Sequence, residues 1–258
     1  MTVTEPSDSM FLYPLGDLHV GDKAFGKVGR GKFLGYRDWI INTPNAYAFL
    51  MGDILNTASR NSATSPFEGK SGDDEYQEAV DLLRPLADTG RIIGAITGNH
   101  ERRMEDSFGF NPLKPFCNEL GIPYLGYSAV VKFRVGARPE PEQNQVFNTY
   151  HGYFHHGTGG GGTLGAALNR KVKLQDIVQG VDFYVSGHDH QLVTGVRAVF
   201  EPGKNGIKQR KLTYVDSGSF LDYEDSYAEA AMYAPGKLGA PRIRLDGRKD
   251  KHDLHVSL

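Results

Sequence analysis

Short apolar runs that stop abruptly at a polar cluster recur along the chain. They are MFLYPLGDLH (10–19), AYAFLMGDILN (46–56), RIIGAITGNHE (91–101), NTYHGYFHHG (148–157) and VDFYVSGHDH (181–190). Continuous apolar runs bounded by glycine are the pattern of buried strands. Each ends in Gly with Asp, Asn or His. Helix-like spacing lies between them. KFLGYRDWIINT (32–43) carries it, and DDEYQEAVDLLRPLADTG (73–90) carries it most clearly. The second opens on acidic residues and closes before Gly90, as the helix dipole favours. GTLGAALNRKVKLQDIVQG (162–180) is a third candidate helix.

Alternating strands and helices predict an α/β layered fold. Strand-like IPYLGYSAVVKFRVG (122–136), a loop at ARPEPEQNQ (137–145) and a hairpin around PGKNG (202–206) predict an antiparallel second half. Residues 56–74 read as a mobile polar loop, and residues 242–258 as a charged, patternless tail. One domain over 1–258 is expected, with two small domains as the alternative.

Composition adds few constraints. The 258 residues are 39% hydrophobic and 23% charged, with a net charge of −2, so no global field favours nucleic acid or a membrane. No stretch approaches the ~18 apolar residues of a membrane span. The N-terminal residues lack a basic start followed by a long apolar run, so no secretory signal is expected. The single cysteine, Cys117, excludes an internal disulfide and a cysteine-only zinc cluster. The expected location is the cytoplasm.

The strand ends carry the chemistry. Together they present Asp17, His19, Asp53, Asn99, His100, His155, His156, His188 and His190. Ligands of open α/β sheets bind beyond the carboxyl ends of strands, so these donors are expected at one edge. Oxygen with imidazole suits borderline or hard divalent ions such as Mn, Fe, Zn or Ni. The donors outnumber the needs of one ion, and a carboxylate can bridge two ions about 3.5–4 Å apart. A histidine left off the ions could protonate a leaving oxygen. Singly, each motif is ordinary turn, cap or core chemistry. Jointly, their order, placement and ligand type agree. One structural zinc would need only four closed ligands.

DLH (17–19), GDILN (52–56), GNHE (98–101), HG (156–157) and GHDH (187–190) make the chain resemble the calcineurin-like metallophosphoesterases. The resemblance implies a two-sheet sandwich with helices on both outer faces, a four-layer αββα fold. It implies Asp17, His19 and His190 on one divalent ion, Asn99, His156 and His188 on a second, and Asp53 bridging. It gives His100 the role of general acid or of steadying charge on the phosphoryl group, with a metal-activated hydroxide attacking in line. Mn is the expected ion, with Fe, Zn, Ni and Mg as alternatives. Asn56 and Thr57 stand where the phosphoprotein-phosphatase branch has Asp and Arg. That argues against a protein phosphatase and fits phosphodiesterases and nuclease-related branches.

The expected activity is hydrolysis of a phosphodiester, of nucleic-acid or nucleotide type. A phosphomonoesterase or a non-catalytic scaffold is the alternative. Asn56, Arg102 and Arg103 are candidate substrate contacts. RKVK (170–173) and KQRK (208–211) could track a nucleic-acid backbone, though solvated surface is the commoner role. Core packing is expected for Phe108, Phe110, Tyr124 and Tyr127 rather than base stacking. YFHHGTGGGG (153–162) lacks the Lys-Ser/Thr ending of a P-loop. His156 is its expected ligand. His155 should face the other side of the strand, and the glycines should give a sharp turn beside the site.

Overall fold

A computed structural model describes residues 1–58, 69–136, 146–159, 163–203, 206–249 and 251–258. A five-stranded sheet has the order β11 (Leu254–Ser257), β10 (Arg242–Asp246), β2 (Ser9–Leu15), β3 (Ala46–Leu50), β4 (Ile92–Ala95). A six-stranded sheet has the order β1 (Thr2–Glu5), β5 (Ser128–Val135), β6 (Asn148–His155), β7 (Phe183–Ser186), β9 (Gly206–Asp216), β8 (Thr194–Gly203). Strands β2, β3 and β4 run parallel, as do β6 and β7. The helices are α1 (Lys27–Asn42), α2 (Gly72–Ala87), α3 (Asn99–Phe108), α4 (Leu113–Leu120), α5 (Leu164–Val172), α6 (Leu174–Ile177) and α7 (Tyr227–Ala230).

Strand alternation builds the layers. Met10 and Leu12 of β2 join Phe49, Phe133, Phe154, Phe183 and Val185 in the core between the sheets. Tyr13 and Leu15 point the other way, against Phe33, Val80, Leu83 and Phe116 from α1, α2 and α4. On the far face, Tyr153, Tyr184 and Tyr214 pack with Leu168 and Leu174 of α5 and α6. Helices thus cover both outer faces, giving the expected αββα sandwich. The three expected helices form, with the third divided into α5 and α6, and the hairpin around 202–206 joins β8 to β9.

Three expectations change. Residues 242–258 are not a tail: β10 pairs antiparallel with β2 and places Ile243 opposite Leu12, and β11 pairs with β10. The charged residues occupy the outward positions and hide the alternation of Ile243, Leu245, Leu254 and Val256. Within 122–136, only Ser128–Val135 forms a strand. Of the loop at 56–74, Gly72–Asp74 already belong to α2, and residues 59–68 lie outside the described residues, as do 137–145.

Helix α2 shows how sequence fixes an element. Ser71 Oγ accepts from the Asp74 N–H, and Asp73, Asp74 and Glu75 sit in the first turn. Glu75 is 5% exposed and accepts from Thr57 N at 2.8 Å. Burial pushes its carboxyl up from 4.5 to about 7, against that bond. The fold therefore holds this proton more tightly than the unfolded chain. Its contribution is full below pH 4.5 and fades as pH rises through 7, by about 3 kcal/mol in all. Glu75→Gln should flatten this part of the pH profile in urea denaturation at pH 5 and 8. An unchanged slope would refute the assignment.

Candidate metal centre

All five polar clusters lie just beyond the carboxyl ends of strands: Asp17 and His19 after β2, Asp53 after β3, Asn99 after β4, His156 after β6, and His188 and His190 after β7. Three of these strands belong to one sheet and two to the other, so the site forms where both sheets end together. The backbone is strained to aim the side chains. Asp17 (φ 49°), His19 (46°), Asp53 (49°), His188 (70°) and His190 (53°) are all left-handed. Such residues cost of order 1–3 kcal/mol each and gather at functional sites. In GHDH the two imidazoles therefore diverge. His188 turns to Asn99 and His190 to Asp17. Close approach explains the adjoining glycines: a Cβ on Gly187 would lie 2.5 Å from Asp17 Oδ2.

Asp53 sits at the centre. Its Oδ1 accepts from the His100 N–H at 2.8 Å. Its Oδ2 lies 3.2 Å from His156 Nε2, 3.7 Å from His19 Nε2 and 4.0 Å from His100 Nε2. On one side, His190 Nε2 stands 3.1 Å from Asp17 Oδ1. On the other, Asn99 Oδ1 lies 2.9 Å from His156 Nε2 and 2.6 Å from His188 Nδ1. His156 Nδ1 donates to the Met51 carbonyl at 2.8 Å, which leaves Nε2 as its free ligand atom.

The packing of these groups shifts their proton affinities. Burial pushes Asp17 and Asp53 up, but the imidazoles around them overcome it and hold both well below the usual carboxylate range. Burial opposes charge on His156, yet Asp53 raises it to about 10. Burial and then His156 lower His188. Such opposed shifts in one cleft mark a functional cluster.

The donors fit divalent ions. Asp17–His19–His190, His19–Asp53–His100 and Asp53–His156–His188 each place their ligand atoms within 4.8 Å of one another. Asp17 Oδ1 and His19 Nε2 are buried without a hydrogen-bond partner, although His190 lies near the first. Buried polar atoms are normally paired, so these two are atoms available to a ligand.

The family model described as calcineurin-like phosphoesterase matches residues 15–192, which contain every one of these donors. The chain belongs to the calcineurin-like phosphoesterase family. Family membership and the three metal-capable groups support metal-dependent hydrolysis of phosphoesters. Among solved structures, it is similar to a conserved uncharacterised protein, a predicted phosphoesterase, from Streptococcus pneumoniae TIGR4. That protein is 12% identical, with 96% of this chain and 98% of that one covered and a TM-score of 0.37. A metallophosphoesterase from Sphaerobacter thermophilus is 13% identical, covering 92% and 83%, at 0.37. Haemophilus influenzae NAD nucleotidase is 9% identical, covering 97% of this chain and 49% of that one, at 0.41. No curated protein matches the chain.

Three supports of this phosphoesterase-family site escaped the reading of the sequence. The buried Glu101, last residue of GNHE, accepts N–H bonds from Asp53, Ile54, Leu55 and Gly98 at 2.8–3.1 Å. It thereby fixes the loop that carries Asp53. The Asn56 carbonyl accepts from His100 Nδ1 at 2.5 Å, so the backbone orients His100 whatever side chain stands at 56. Lys171 is fully buried and pairs with Asp216 at 2.5 Å and with Asp189, between His188 and His190. Arg170 also pairs with Asp189. RKVK is therefore neither solvated surface nor a phosphate track at these two positions.

Other candidates fall elsewhere. Arg102 pairs with Asp106 at 3.4 Å and lies over the Tyr127 ring, so its side chain is engaged on α3. Arg103 stands close enough to His100 to lower its proton affinity. Asn56 is buried, with Oδ1 lacking a hydrogen-bond partner. Phe108, Phe110 and Tyr127 are not core residues, being 71%, 51% and 49% exposed. They follow helix-end and turn positions, where local periodicity carries no burial signal. His155 turns away from the cluster and accepts from the Gly157 N–H at 2.9 Å. Gly157 (φ 109°) makes the expected sharp turn beside Gly187, and residues 160–162 lie outside the described residues. No helix among the described residues is long and apolar enough to cross a membrane.

Proposed function

We propose that this protein is a dinuclear phosphodiesterase acting on nucleotide-type or nucleic-acid diesters, with manganese as the favoured ion. The carrying observation is the central Asp53 carboxylate, shared between the His19 and His156 sides of a single buried cluster. Asp17, His19 and His190 would hold one ion, Asn99, His156 and His188 the other, and Asp53 both. Two such ions activate water near neutral pH and neutralise phosphate oxygens. His100 remains beside them, its side chain mostly buried with 16% exposed, and oriented by Asn56. All seven ligand positions and His100 carry usable side chains, which favours catalysis over a scaffold. The single buried Cys117 fits work in the reducing cytoplasm.

The purified protein should hydrolyse bis(p-nitrophenyl) phosphate with added Mn²⁺ and lose that activity to EDTA. Faster turnover of the matching monoester would favour the phosphomonoesterase alternative. Silence towards both esters with Mn, Fe, Zn, Ni and Mg would refute the enzyme.

A further inference from the structure

The family match ends at residue 192, and residues 219–239 lie beyond it. This segment leaves and returns through one neck, where Ser219 and Gly239 form an antiparallel bridge with a 2.9 Å N–H···O bond. Loops of this length that do more than connect are held by their own contacts. Here the Tyr223 hydroxyl donates to the Tyr233 carbonyl at 2.9 Å, and the Tyr227 and Tyr233 rings meet edge-on at 6.4 Å. Asp222 ties the loop to α1 by accepting from Val28 N and Gly29 N.

The loop walls a cavity of about 780 Å³ whose other wall includes His188 and His190. That volume lies in the range of small-molecule sites. The Tyr227 hydroxyl lies 3.3 Å from His190 Nδ1, so the cavity is continuous with the metal cluster. Its lining combines three tyrosines with carboxylates. Lys23 is the only Lys or Arg among the described lining residues, whereas Asp189, Asp222, Glu224 and Asp225 all line it. Asp189 pairs with Arg170 and Lys171, and Asp222 accepts from two N–H groups of α1. Glu224 and Asp225 stand exposed at the rim.

We propose that this cavity receives the organic group of a single-phosphate ester, an aromatic body of nucleoside size without further negative charge. Residues 219–239 then set the specificity, an inference that rests on the phosphodiesterase reading. Tyrosine faces accept a planar ring. A second phosphate would meet Glu224 and Asp225, and among the described lining residues Lys23 is the only Lys or Arg to answer it.

Binding to the Mn²⁺-loaded His100→Ala protein, followed by calorimetry, tests this without turnover. The probes are thymidine 5′-(p-nitrophenyl phosphate), with one phosphate, and the 5′-phosphorylated thymidine dinucleotide, with two. The first should bind about tenfold more tightly. Joint Glu224→Gln and Asp225→Asn exchange, on the exposed rim, should shrink the difference below about threefold without weakening the first probe. Tyr233→Ala should weaken the first probe. Equal or tighter binding of the dinucleotide, a difference that survives charge removal, or no binding of either probe overturns the proposal. If the binding preference holds while the wild-type protein hydrolyses no ester, the phosphodiesterase reading fails and the cavity's selectivity stands. Hydrolysis without the preference does the reverse.

Discussion

Replacing Lys171 by methionine is expected to destabilise the fold by about 3–5 kcal/mol, the usual consequence of removing one partner from a buried ion pair. Lys171 is fully buried on α5 and stands between Asp216, 2.5 Å away at the end of β9, and Asp189 in the GHDH loop. Even with this cation present, burial outweighs it and raises the Asp216 carboxyl to about 6. Without it, two buried carboxylates would remain, with Arg170 left to answer Asp189. They can escape only by taking up protons. Their proton affinities would rise in the folded variant, so the variant's deficit should be small at pH 5 and grow as pH rises towards 8. The second consequence is local. Asp189 faces Lys171 while its neighbours His188 and His190 face the cluster, so loosening Asp189 should lower Mn²⁺ affinity measured by calorimetry. Urea denaturation at both pH values checks the first point. A loss below about 1 kcal/mol, or one independent of pH, would show that the pair does not anchor this loop.

His100→Ala should lower kcat by about 10²–10⁴-fold, the range for a positioned proton-transfer group, while bound metal is retained. The Asn56 carbonyl can only accept, so the His100 proton sits on Nδ1 and Nε2 faces Asp53. Burial, and then the adjacent His19 ring 4.3 Å away, drive the imidazole down to about 3. It is therefore neutral at pH 7, with one proton to spare only if a second is taken up. A negatively charged phosphoryl group beside Nε2 favours that second proton. Metal content by plasma emission spectroscopy, measured beside kcat, decides the role. His100 also shares a metal-capable group with His19 and Asp53. Loss of metal in proportion to activity would make it a ligand instead.

The donors were legible because a strand that ends at Gly-Asp or Gly-His announces itself locally. Helix α2 was legible for the same reason, in its acidic start and apolar spacing. The strands β10 and β11 were not, because Arg242, Arg244 and His255 interrupt Ile243, Leu245, Leu254 and Val256. Only pairing with β2 selects the buried face. Lys171 was misread as surface because a charge run carries no sign of buried partners 18 and 45 positions away in the sequence, at Asp189 and Asp216. Phe108 and Phe110 were misread in the opposite sense: large apolar side chains near a turn give no clue that they stay 71% and 51% exposed.

The sequence by itself determined the ligand chemistry, its order along the chain, and the strand–helix alternation. These depend on residue type and short-range periodicity. The tertiary structure decided what depends on two sheets ending together. It set His156 rather than His155 against Asn99, placed Asp53 between two groups of imidazoles, buried Lys171 beneath GHDH, and folded residues 219–239 into a wall beside His190. Convergence of distant strand ends arises from inter-sheet packing, which no local pattern encodes.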